Sequence, residues 1–404
     1  MKVIRTERWK CMSCVIFGAG KIARGFIGHL LFLGGIDHVF VEKSDQLADL
    51  MNSRGKYYVN ILGNPEKSGE VTDARCLKYS EEEQIIDAIA HADAVFNAVG
   101  GKNLQDIIPF YTKGIERKAE LMPDACINFV TCENWKKPAD ILRDGIEASI
   151  SDSAKPYFEK KTGITEAVIL RSGIDATEEQ KKKDPLWVNV QDYWYLHVDA
   201  SRLKGSLPAI PGLHLVDEFG GFLERKFYTY NAANGTCSFV GALFGYRVLS
   251  DAANDPEIVK ILEKVYAETS AVLCAKYGFS KEEQFEFTRG SLNKMQNRVI
   301  ADTTERNARD PIRKLGPDDR LVGPARMVEA AGIRPEGLAA GIAAAIYYHT
   351  DNPDDPSAEK LRQLREQKGT DYILENICHV QPDSVLGKLV HEKIDGFRRE
   401  GRIR

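Results

Sequence analysis

Two stretches of this chain carry residue types whose spacing could do chemistry. The first runs Cys14-Val15-Ile16-Phe17-Gly18-Ala19-Gly20-Lys21-Ile22-Ala23-Arg24-Gly25. Val15 to Phe17 read as a short buried strand. From Lys21 on, Ile22, Phe26, Ile27, Leu30 and Leu31 recur at helical spacing. Strand, Gly-x-Gly-x-x-Ala and helix in that order cradle a pyrophosphate: Gly18 permits the tight turn, Gly20 lets the backbone approach, and Ala23 lets helix and strand pack closely. Free N–H groups at the helix start, with its positive dipole end, hold the phosphates. The second stretch is Glu224-Arg225-Lys226-Phe227-Tyr228-Thr229-Tyr230-Asn231, read as part of a helix from Asp217 to Ala232. At ~100° per residue Asn231 falls about 140° round from Lys226, and Asn234 about 80° round if the helix continues, so all three can face one cleft. A lysine can take a hydroxyl proton once burial or a neighbouring cation lowers its pKa, and an asparagine amide can donate to the oxygen left behind.

A second apolar run, His38 to Val41, ends in Glu42, about twenty residues after Gly20 as a ribose-binding acid requires. A carboxylate there repels a 2′-phosphate, which favours NAD over NADP as cofactor. Gly18, Ala19, Gly20, Lys21, Ile22 and Glu42 are the cofactor-binding candidates, joined by Val99 and Gly100 at the end of the next buried strand, Ala94 to Val99.

These motifs need a scaffold, and the chain is long enough for one. Its 404 residues can bury two cores. With 43% hydrophobic residues, 28% charged and a net charge of −4, nothing in the balance selects for nucleic acid or an anionic membrane. No apolar run is long enough to span a bilayer. Met1 to Lys10 lack an apolar signal region, so the expected location is the cytoplasm; the first eleven residues read as an extension, or as the product of an upstream start. The eight cysteines are scattered, Cys11 and Cys14 have no second pair at zinc spacing, and no metal is expected.

In order, the segments read as a helix from Gln46 to Met51, a strand from Tyr57 to Ile61 in a hairpin running on to Val71, a helix from Glu81 to Ala90, and a helix capped by Asn103. A strand from Cys126 to Val130 ends in Thr131-Cys132-Glu133-Asn134, and further strands follow at Ala167 to Leu170 and Leu186 to Val190. This alternation predicts an α/β fold with a doubly wound parallel sheet, and the strand-end rule gathers Gly18, Glu42, Val99-Gly100 and Glu133-Asn134 round one crevice. Leu207-Pro208-Ala209-Ile210-Pro211-Gly212 reads as a linker. Helical periodicity dominates beyond it. The expected domains are therefore 1–205, dinucleotide-binding, and 206–404, all-helical and substrate-binding.

The chain resembles the polyol-specific long-chain dehydrogenases, the mannitol dehydrogenase family. The likeness rests on Gly18 to Gly28, Asn97-Ala98-Val99-Gly100, Cys132-Glu133-Asn134, Leu207 to Gly212, Glu224-Arg225-Lys226, Pro311-Ile312-Arg313-Lys314-Leu315, Asp319-Arg320-Leu321 and Gly341 to Ala345. It implies a Rossmann-type first domain and a mostly α-helical second one. It also implies Lys226 as general base, Asn231 as oxyanion stabiliser, and substrate contacts from Asn134 and Asp175. The family pattern Lys-x-x-x-x-Asn-x-x-His departs at Asn234, which can hydrogen-bond a hydroxyl but carries no titratable proton. The arginine usual after the Asp175 position is Ala176.

Arg306, Arg309, Arg313, Lys314 and Arg320 form a basic cluster. It reads either as a salt-bridged solvent face or as a clamp on a substrate phosphate or carboxylate, with Arg313 and Lys314 foremost. The leading expectation is an NAD-dependent oxidoreductase, a monomer or small homo-oligomer. It would interconvert a phosphorylated sugar alcohol and its ketose, as mannitol 1-phosphate and fructose 6-phosphate are interconverted. The rivals are a hexuronate reductase of the same family, acting on tagaturonate or fructuronate, and a non-catalytic NAD-binding protein.

Overall fold

The structure is a computed structural model that describes residues 13–300 and 302–403; Cys11 and the N-terminal segment read above lie outside them. The described residues divide into two compact units between Phe219 and Gly220. The Leu207 to Gly212 stretch, read from its prolines as a linker, sends Leu207 and Ile210 into the core of the first unit.

Among the described residues twelve strands build the first unit: β1 (Ser13–Phe17), β2 (Asp37–Glu42), β3 (Lys56–Ile61), β4 (Gly69–Thr72), β5 (Cys76–Lys78), β6 (Ala94–Asn97), β7 (Ile127–Thr131), β8 (Thr162–Val168), β9 (Gly173–Ile174), β10 (Val188–Val190), β11 (Leu196–Asp199) and β12 (Leu213–Val216). Eight of them form one sheet in the order β12-β11-β8-β7-β6-β1-β2-β5. The ladder is parallel from β5 to β8 and turns antiparallel only between β8 and β11. The strands β1, β6 and β7 are buried end to end, as a parallel sheet covered on both faces demands. The chain leaves β1 toward β2 and later returns to its other flank at β6, so the ends of β1 and β6 mark the switch point where ligands bind.

Two expectations change here. The Leu186–Val190 run does not extend the main sheet: β10 pairs with β3 and β9 in a separate four-stranded sheet, β4-β3-β10-β9. Local sequence encodes a strand's apolar character but not its partner. Asn103 does not cap its helix through its side chain. Its amide instead donates to the Val99 carbonyl at 2.7 Å and closes the loop after β6.

The second unit is helical. Its centre is the helix Glu336–Ile346, whose Leu338 to Ile346 stretch is buried on every side by the helices Ala232–Leu243, Pro256–Tyr277 and Val385–Arg399. An all-round apolar, alanine-rich helix can only exist in such a position. Ser280 with Glu283 forms a capping box at the head of Lys281–Gln296, and Asp255 caps Pro256–Tyr277. Among the described residues no helix is long and apolar enough to cross a membrane.

Candidate active site

In the first unit the glycine loop is built for a phosphate chain. Gly18 has φ +88°, and a Cβ there would lie 2.7 Å from the Ala98 carbonyl oxygen, so no other residue fits without strain. Its N–H donates to Val41 O at 2.7 Å, tying the loop to β2. Nothing lies within 4 Å of the point where a Gly20 Cβ would stand, which leaves the open space a pyrophosphate needs. The following helix opens as a π-helix over Ala23–Gly28. Its consecutive carbonyls of Arg24 and Gly25 accept from the Tyr57 hydroxyl at 3.1 Å and from Arg171 Nη1 at 2.8 Å. Those bonds satisfy acceptors that the wider turn exposes. Ile22 packs against the core, while Lys21 pairs with Asp175 at 2.7 Å, so two predicted site residues meet in one ion pair.

Two acids at strand ends hold the neighbouring loops in the same way. Glu42, ending β2, accepts from Ala19 N at 2.7 Å and from Ser44 N at 2.9 Å. A carboxylate has about four acceptor positions, so capacity remains for ribose hydroxyls. Glu133, just past β7, accepts from Asn97 Nδ2 at 3.1 Å, Val99 N at 2.7 Å and Gly100 N at 3.1 Å. Burial raises the Glu133 carboxyl above its ordinary range, and those hydrogen bonds oppose the rise. The strand-end rule gathers Glu133 to this crevice but gives it no role. The signal was present, since it follows its strand as Glu42 follows β2. Asn134 stands exposed beside it.

In the second unit Lys226 ends the helix Phe219–Lys226, and the chain continues through a π-turn over Phe227–Asn231 into Ala232–Leu243. The apolar spacing predicts an α-helix throughout. In a π-turn of about 4.4 residues, five residues span roughly 410°, so Asn231 comes within about 50° of Lys226 rather than about 140°. Three α-helical residues further on, Asn234 returns to within about 10° of the Lys226 direction. The opposite face is anchored. Arg225 is buried, donates to Gln284 Oε1 at 2.8 Å and lies between the rings of Phe279 and Phe287. Gln284 in turn donates to the fully buried Thr229 at 3.2 Å.

The electrostatics disfavour the charged form of Lys226. Burial first, and then the Arg320 guanidinium, lower Lys226 to about 8. Arg320 is held by Asp319 at 2.9 Å and lies 5.4 Å from the centre of the Phe227 ring. Lys294 is also lowered to about 8, by burial and then by the Lys226 ammonium, with Asp302 acting against them. Sequence reasoning did not single out Arg320 as the cation that lowers Lys226, because it acts from another element. Phe239 packs in the core against Tyr348.

The basic cluster is largely answered from within. Arg306 pairs with Asp302 and Arg309 donates to the Asp354 carbonyl. Arg313, half exposed, pairs with both Asp310 at 2.8 Å and Asp319 at 3.1 Å. Lys314 is buried and donates to the carbonyls of Asn307 and Arg309. Burial, then Arg320 and Arg313, lower it to about 7. Among the described residues no group of three or more metal-ligating side chains comes together.

A doubly wound dinucleotide domain followed by a helical domain carrying a low-pKa lysine is the architecture of a two-domain dehydrogenase. Residues 12–212 match the mannitol dehydrogenase Rossmann domain and residues 218–384 the mannitol dehydrogenase C-terminal domain. The chain belongs to the mannitol dehydrogenase family and is an NAD-using oxidoreductase. Its fold is similar to that of a D-sorbitol dehydrogenase in substrate-free form, with 15% identity over 98% of this chain and 96% of that one and a TM-score of 0.82. It is also similar to Pseudomonas fluorescens mannitol 2-dehydrogenase in a ternary complex with NAD and D-mannitol, with 14% identity over 97% and 93% of the two chains and a TM-score of 0.68.

Proposed function

We propose that this protein interconverts a sugar alcohol and its ketose, with Lys226 as the base that takes the hydroxyl proton and Asn231 as the donor to the reacting oxygen. NAD supplies the hydride acceptor for the carbon, and everything else falls to the chain's own side chains. The observation that carries the reading is Lys226 itself. An amine brought down to about 8 by burial and Arg320 is partly unprotonated near neutral pH, as a general base must be. As the hydride leaves the carbinol carbon, the O–H proton passes to Lys226 Nζ and the C–O bond becomes a carbonyl. The charge that builds on this oxygen meets the Asn231 amide. Glu42 and the Gly18–Gly20 loop hold the adenosine ribose and pyrophosphate, and Asn134, Asp175 and Asn234 are the proposed contacts to substrate hydroxyls.

The leading substrate pair is mannitol 1-phosphate and fructose 6-phosphate, with Arg313 and Lys314 toward the phosphate; the resemblance of the segments round Pro311–Leu315 and Asp319–Leu321 supports it. A specific observation favours the free polyol as a second reading: Arg313 already answers two aspartates and Lys314 two carbonyls. The similar solved structures also carry the names of sorbitol and mannitol dehydrogenases. The deciding experiment follows NADH absorbance with fructose 6-phosphate, fructose, tagaturonate and fructuronate, in the wild type and Lys226→Ala. Turnover of fructose 6-phosphate alone, lost in the variant, supports the phosphate reading. Turnover of fructose supports the free polyol. Turnover of only a uronate moves the protein to the hexuronate reductases, and NADH binding without any turnover defeats the catalytic reading.

A further inference from the structure

The sheet order dictates where each half of a bound dinucleotide must run. Glu42, at the end of β2, takes the adenosine ribose, and the loop after β1 takes the pyrophosphate. The nicotinamide riboside therefore extends to the other flank, over the carboxyl ends of β6 and β7. The loops there are locked together. Glu133 accepts from both Val99 and Gly100, Asn103 closes onto Val99 O, and Cys132 N donates to Asn97 O at 2.9 Å. The backbone donors of Val99 and Gly100 are thus engaged by Glu133. What the locked loops still present is an aromatic ring.

That ring is Trp135, 53% exposed. Its indole lies flat against Gly101: a Cβ on Gly101 would stand 2.2 Å from Trp135 Cδ2 and 2.3 Å from Cγ. Only glycine admits the ring at this distance, and the Gly101 φ is not in the left-handed region, so the contact alone demands the glycine. Two residues after Trp135, Lys137 takes φ +49° and Pro138 begins a helix, which fixes the loop on its far side. An exposed indole already seated on the backbone presents a large apolar face to a ligand.

We propose that Trp135, seated on Gly101, is the contact surface for the nicotinamide riboside half of the cofactor. This rests on the dinucleotide-binding reading above, and its test reads binding rather than turnover. NADH dissociation constants are measured by calorimetry for the wild type, Trp135→Phe, Trp135→Ala, Gly101→Ala and the Gly101→Ala/Trp135→Ala double variant. Trp135→Ala is expected to weaken NADH about five- to tenfold, with Trp135→Phe within about threefold of wild type. Gly101→Ala, which must displace the indole, is expected to weaken binding to a similar extent and to add nothing once Trp135 is alanine. If Trp135→Ala leaves the constant within twofold while the wild type binds NADH, the proposal fails and the dinucleotide domain stands. A change confined to the ketose KM also overturns it, by making Trp135 a substrate contact. Additive effects of the two substitutions would overturn the seat on Gly101. A wild type that does not bind NADH defeats both this proposal and the reading it rests on.

Discussion

Lys226 and Asn231 stand five residues apart on one continuous helix, with a π-turn between them: the Ala232 N–H reaches back to Phe227 O, five residues away. The extra residue in that turn is what swings Asn231 and Asn234 toward the lysine. On the proposed role of Asn231 as donor to the developing oxyanion, Asn231→Ala is expected to lower kcat about 10- to 1,000-fold with a smaller change in KM. Steady-state kinetics in both directions check this, and a change in KM alone would assign Asn231 to ground-state binding.

Lys226 couples activity to stability in opposite senses. Lys226→Ala is expected to lower polyol oxidation about 100- to 10,000-fold. In the wild type that rate should rise with pH through about 8, as the amine loses its proton. Arg320→Gln removes a neighbouring cation and should move this limb to higher pH. A pH–rate profile that Arg320→Gln leaves in place would exclude the coupling.

The same lysine costs the folded state. Its folded pKa lies near 8 against an ordinary value of 10.5, so between these pH values the unfolded chain holds more protons and stability rises with pH. Below about pH 8 the burden is fully present. Lys226→Met should therefore raise Tm at pH 7 and lose that advantage as the pH approaches 10. Calorimetric melts at the two pH values decide it.

Glu133→Ala removes the acceptor shared by Asn97, Val99 and Gly100, leaving backbone N–H groups unpaired, and should cost about 1–3 kcal/mol of stability. Glu133→Gln keeps one oxygen able to accept and should recover part of that loss. Equal urea midpoints for the two variants would show that the carboxylate charge, rather than its acceptor geometry, matters.

At the glycine loop, Gly18→Ala forces a side chain into φ +88° against the Ala98 carbonyl, and should cost roughly 1–3 kcal/mol as well as NADH affinity. Glu42→Gln should leave the fold intact and narrow the preference for NAD over NADP, read as the ratio of the two dissociation constants.

The features legible in the sequence were those encoded within a short window. The Gly18–Gly20 turn, the helix after it and Glu42 at the end of the next strand are set by backbone sterics and apolar spacing over a few dozen residues, and the structure places them at one end of the sheet. Glu133 was half legible: its position past a strand could be read, but its grip on Val99 and Gly100 joins two loops more than thirty residues apart. The π-turn was not legible, because an apolar period of 3.6 and one interrupted by a single wide turn look alike over five residues.

By itself, the sequence determined a dinucleotide-binding parallel sheet, the helical domain after it, and the lysine and asparagine on one helix, because periodicity and glycine sterics are local. Only the tertiary structure decided that a π-turn separates Asn231 from Lys226, that Arg320 lies close enough to lower that lysine, that Arg313 answers Asp310 and Asp319, and that Trp135 rests on Gly101. Each of those depends on distances between elements, and distance is what sets both Coulomb energy and steric fit.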